Sequence, residues 1–110
     1  MERAADFLLL QFERPGGELW PVSVLLFDPR ADRLHVRSRE DFDGLDSDDA
    51  AVLTALLDQM ASEAHTKSGS SILREFEDSL SNAIRITERT SIPVHDVDTT
   101  LGELADRHLR

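Results

Sequence analysis

The chain has 110 residues and no cysteine, which suits one domain and excludes disulfides, thiolate metal centres and cysteine nucleophiles. Its net charge of −10 argues against nucleic acid as a partner, because coating nucleic acid depends on Lys and Arg neutralising phosphates. A chain of this size buries roughly two thirds of its unfolded surface, enough for one core without staples.

Residues 6–13, DFLLLQFE, form an apolar run in which Phe7 to Leu10 are the only consecutive strongly apolar residues. That is too short for a secretion leader or a membrane span. No membrane contact and a cytoplasmic location are the expectation. Pro15-Gly16 in RPGGE suits a type II turn, with proline fixing φ and glycine accepting a positive φ. Residues 21–28, PVSVLLFD, are a second apolar run. After PRAD, the segment RLHVRSR alternates strictly, with Leu34 and Val36 on one face and Arg33, His35, Arg37 and Arg39 on the other. These three runs read as an antiparallel meander.

EDFDGLDSDD, residues 40–49, looks at first like a calcium loop. Such a loop needs oxygen ligands at positions 1, 3 and 5, glycine at 6 and glutamate at 12. Starting at Asp41 puts Leu45 at position 5 and Val52 at 12; starting at Asp43 puts Leu45 at 3 and Thr54 at 12. Neither register works. The stretch reads instead as the entry to a helix, with Asp46 or Ser47 as cap and Asp48 and Asp49 facing its positive end.

From Ser47 the period becomes helical, through Val52, Leu53, Leu56, Leu57, Met60 and Ala64. TKSGSS interrupts at Gly69. Ile72, Leu73, Phe76 and Leu80 make a second helical stripe, which Asn82 is placed to stop in a left-handed conformation. AIRITER alternates again, with Ile84 and Ile86 opposed to Arg85, Thr87 and Arg89. TSIPV reads as a loop, since proline discourages a central strand. TTLGELADRHLR is a third helix, with Thr100 and Glu103 fitting a capping box and Leu101, Leu104, Ala105 and His108 on one stripe.

The expected fold is a single α+β domain over residues 1–110, of topology βββααβα. Strands 1 and 2 are apolar on both faces, as central strands are, and strands 3 and 4 on one face only. The antiparallel four-stranded sheet then has the order 3-2-1-4, with helices 1 and 2 on one face. The other face would carry Leu8, Leu10, Leu25 and Phe27 between arginine-bearing edges. A small monomer rarely exposes so large an apolar patch. The C-terminal helix, a second copy or another protein must cover it.

The stretch GELWPVSVLLFDPRADRLHVR and the ending VDTTLGELADRHL resemble the bacterial family called domain of unknown function 3037, over about a third of the chain. The resemblance carries no activity. Some members are encoded beside kinases of a toxin class, which implies an accessory role with a kinase-type neighbour as partner.

No catalytic, metal or cofactor site is expected. His95, Asp96 and Asp98 are local to one segment, whereas a metal site draws ligands from several elements. No G-x-S-x-G elbow is present, and KSGSS lacks the phosphate-loop spacing. The remaining cluster is Arg33, His35, Arg37, Arg39, Arg85 and Arg89. It reads either as edge protection or as an anion- or partner-binding surface. The two edges stand about 14 Å apart, three strand spacings, so a protein rather than one small anion would span them. The expectation is a non-enzymatic accessory domain acting through protein contacts, as a homodimer or with another protein. The alternative is a small-anion or nucleotide-binding regulatory domain.

Overall fold

The computed structural model describes residues 3–14, 16–42, 44–79 and 84–109. Its elements are β1 (Arg3–Glu13), β2 (Leu19–Asp28), β3 (Arg33–Ser38), α1 (Ser47–Thr66), α2 (Gly69–Ser79), β4 (Ile84–Ile86), β5 (Thr90–Val94) and α3 (Val97–His108). The sheet is antiparallel in the order β3-β2-β1-β4, and β5 also pairs with β1. The fold is therefore the expected α+β arrangement. None of the helices among the described residues is long and apolar enough to cross a membrane.

TSIPV is a strand, not a loop: Thr90 to Val94 pair with Phe7 to Arg3. Proline is tolerated because an edge strand uses only one of its two sides. β4 and β5 follow one another along the same edge of β1, separated by a bulge. Leu10 pairs with Ile86 and Phe7 with Thr90, so three residues, 87–89, span two of β1. β2 bulges too, where Gln11 faces Pro21 but Leu10 faces Ser23.

β1 and β2 are apolar on both faces because each face meets a helix layer. Leu8, Leu10, Leu25 and Phe27 lie under α1 and α2 with Leu53, Leu57, Met60, Ile72 and Leu73. This reverses the expected facing of those four residues. The second face carries Ala5, Leu9, Val24 and Leu26, and α3 covers it with Leu101, Leu104 and Leu109. His108 completes the α3 stripe, its ring 5.3 Å from that of Phe7. Each buried leucine contributes about 1.5–3 kcal/mol. The C-terminal helix is thus what closes that face.

The helix ends follow from local chemistry. Asp46 caps α1, its carboxylate accepting from Asp49 N–H at 2.8 Å. The cap of α3 is Asp96, which accepts from the amide and the hydroxyl of Thr99. These bonds hold the Asp96 carboxyl below its ordinary range. The helix therefore starts before the Thr100–Glu103 box, inside which a neutral hydroxyl would have had to do the same work. Gly16 has φ +103°, and Gly17 N–H donates to the Arg14 carbonyl, closing the first hairpin. Pro15 and the expected stop at Asn82 lie outside the described residues.

Candidate partner-binding edge

Among the described residues, β3 is the sheet edge whose ladder is uninterrupted: Arg33 to Ser38 pair with Asp28 to Ser23 without a bulge. Beyond it, Arg39 N–H donates to the Val22 carbonyl at 2.8 Å, and Ser23 Oγ donates to the Arg37 carbonyl at 3.2 Å. Odd-numbered residues therefore turn their backbone groups toward β2. By alternation, those of Leu34, Val36 and Ser38 turn outward, where β3 has no strand neighbour among the described residues.

The start of α2 closes one end of this edge. Asp32, in the left-handed region at φ 51°, accepts from Ser70 N–H at 2.9 Å and Ser70 Oγ at 3.1 Å. Its carbonyl accepts from Gly69 N–H at 2.7 Å. Gly69 sits so close to β3 that a Cβ there would lie 2.8 Å from Leu34 N. From Val36 onward the outward groups run beside α1.

Two hollows flank this stretch. One, of about 290 Å³, lies among Arg33, Leu34, His35, Val36, Ala64 and Leu101. The other, of about 460 Å³, lies among Val36, Arg37, Ser38, Phe42, Thr54 and Leu57. Val36 and Ala61 line both, so the hollows meet at the middle of β3. α1 lines both hollows, and α3 lines only the smaller, through Asp98 and Leu101.

The six charged candidates are not brought together. Arg33, His35 and Arg37 stand in a row on the α3 side of β3, with Arg33 and Arg37 exposed. Arg39 follows that row in the chain but does not share its side: its Nε donates to the Pro21 carbonyl at 3.1 Å, and its guanidinium lies 4.2 Å from the ring of Trp20, which packs on the α1–α2 core. Burial lowers its pKa, and Asp41 opposes that shift. Arg14 approaches the same ring at 5.6 Å, and Phe42 meets it edge-on. Arg85 is across the sheet, 3.6 Å from Glu13. Arg89 departs from the expected face altogether. The bulge at 87–89 inverts the alternation, and Arg89 reaches Asp6 at 3.8 Å and the Phe27 ring at 5.3 Å, both on the α1–α2 side. What sequence reasoning missed is the groove itself, which α1 lines along its length and α3 only at the smaller hollow. Ala61 on an exposed helix position was its one local sign.

Acidic residues elsewhere are used for folding. Arg14 Nη2 donates to the carbonyl of Gly44, which has φ +94°, and this ties EDFDGLDSDD to the first hairpin. Among the described residues no three His, Asp or Glu side chains are placed to hold a metal ion.

Compared with protein-family models, with curated proteins and with solved structures, the chain matches none of them, and what the edge does rests on its own geometry.

Proposed function

We propose that the protein is a non-enzymatic domain that acts through protein contacts, by taking an extended segment of another polypeptide as an added strand on the outer edge of β3. The observation that carries this is the continuous outward edge of β3 with a hollow on each side of Val36. Main-chain bonds to such an edge supply affinity, and hollows for alternate side chains supply selectivity. The expected docking surface moves accordingly, from the sheet face to the sheet edge, because α3 occupies the face.

The test is a selection of displayed random peptides against the full chain, followed by amide NMR of the labelled protein. Recovered binders are expected to shift the amides of Val36 and Ser38. Their binding is expected to be lost in Val36→Pro, which removes an outward donor and no bond to β2. Ala61→Phe fills the groove from an exposed position without touching the strand, and is expected to do the same. Binders that leave those amides unmoved and tolerate both variants would overturn the reading.

The second reading is a small-anion or nucleotide-binding regulator, carried by Arg33 and His35 in the smaller hollow. Titration with phosphate separates the two. It raises Tm only if an anion is the ligand.

A further inference from the structure

We infer that the segment accepted by β3 alternates apolar and acidic side chains, and that it comes from a different protein rather than a second copy of this chain. This rests on the strand-addition reading above.

The two rows of an added strand meet different walls. A residue opposite Val36 points to the α1 side, where Ala61, Ala64 and Leu57 leave apolar space. Asp58 and Glu40 line the larger hollow together with Arg37 and Arg39, and the two carboxylates disfavour a third on the α1 side. A residue opposite His35 or Arg37 points to the other side, into the row Arg33, His35, Arg37. Directly opposed charges of unlike sign stabilise a sheet, and like charges destabilise it. Asp98 of α3 stands near Arg33 and His35, so the strongest acidic position is the one beside Arg37.

The same row argues against a second copy. Two β3 edges pairing antiparallel about a two-fold axis bring outward residues opposite outward residues. Odd positions then always face odd positions. His35 meets Arg37 when the axis passes Val36, and Arg33 meets Arg37 when it passes His35. The chain's overall charge of −10 repels an acidic segment at long range. At physiological ionic strength that repulsion is screened beyond about 8 Å, whereas the arginine row acts at contact.

Three capped peptides test this against the full-length chain by amide NMR and titration. One alternates valine and glutamate, one alternates valine and lysine, and one carries the valines and glutamates in separate blocks. The alternating glutamate peptide is expected to shift the Val36 and Ser38 amides and to bind at least tenfold tighter than the other two. Arg37→Glu, an exposed substitution that leaves the fold alone, is expected to weaken it roughly fivefold, the weight of one exposed ion pair. The same variant is expected to strengthen the lysine peptide.

Equal binding of the lysine peptide, with the same amides shifting, would overturn the acidic preference and leave strand addition standing. Equal binding of the block peptide would overturn the alternation. If displayed binders move the edge amides but none of the three peptides does, the inferred chemistry is wrong and the edge reading survives. A concentration-dependent dimer abolished by Val36→Pro would make the occupant a second copy.

Discussion

β4 and β5 form one edge of the sheet from two short pieces, a bulge at 87–89 and a strand containing Pro93, while β3 forms the other from an unbroken ladder. Bulges, prolines and short strands are the usual means of blunting an edge against further pairing. One edge carries all three. The other carries only charge, in Arg33, His35 and Arg37. Charge discriminates between added strands where a bulge or a proline refuses them all. The difference teaches that the β4–β5 edge is blunted by its geometry, whereas at β3 charge alone would select what pairs, which is the basis of the proposal that it accepts an extended acidic segment of another protein.

The largest test of that contrast is at Gly69, which fixes how much of β3 is open. A Cβ at this position would lie 2.7 Å from Phe27 Cε1, 2.8 Å from the Arg33 carbonyl carbon and 2.8 Å from Leu34 N. Two of those atoms are backbone in a paired strand and cannot turn aside. Gly69→Ala is expected to cost about 3 kcal/mol, the upper range for overpacking, read as a lower midpoint in urea unfolding. Unchanged stability would mean that α2 does not abut β3 and that the free edge begins earlier.

Next in size is a comparison of two neighbouring prolines. His35 N–H faces β2 and Val36 N–H faces outward, on the phase set by the Arg39–Val22 bond. His35→Pro removes a ladder donor beside the buried Leu26 and is expected to cost about 2 kcal/mol. Val36→Pro is expected to cost less than about half of that, since edge strands tolerate proline where the N–H is unused. Equal costs in urea unfolding would reverse the assignment of outward groups and with it the added-strand register.

The strand order was readable because apolar residues on both faces of β1 and β2 mark central strands, and single-faced alternation in RLHVRSR and AIRITER marks edges. The same double apolarity hid which parity faces which helix. Leu8 and Leu9 are equally good candidates for either layer until α1, α2 and α3 are placed. TSIPV was hidden by Pro93, which is unfavourable in a central strand and harmless at this edge. Arg89 was misplaced because alternation carries no record of a bulge, and one extra residue turns every following side chain over. At the candidate site, the row Arg33, His35, Arg37 could be read from the strand alone. The groove beside it could not, because Ala61 lies well beyond β3 in the chain, and stripe periodicity puts α1 on a sheet face without saying how close it comes to the edge.

The smallest effect tests how the blunted edge is held. In the bulge, the Leu9 amide has no backbone carbonyl of a regular ladder opposite it. Instead it donates to Thr87 Oγ1 at 2.8 Å, while Thr87 N–H donates to the Leu9 carbonyl at 3.0 Å. A side-chain oxygen thus stands in for a main-chain one, which lets the extra residue be accommodated without an orphaned donor next to the buried Leu9 side chain. Thr87→Val keeps the shape and removes the acceptor. Leaving the amide unsatisfied is expected to cost about 1 kcal/mol, at the low end because the site is only half buried. Faster hydrogen exchange at Leu9, with the Val36 and Ser38 amides unchanged, would place the loss at the bulge. If Leu9 exchanges no faster, the bulge is held by packing of Ile86 and Thr90 against β1, and this edge is closed by strand geometry rather than by the threonine.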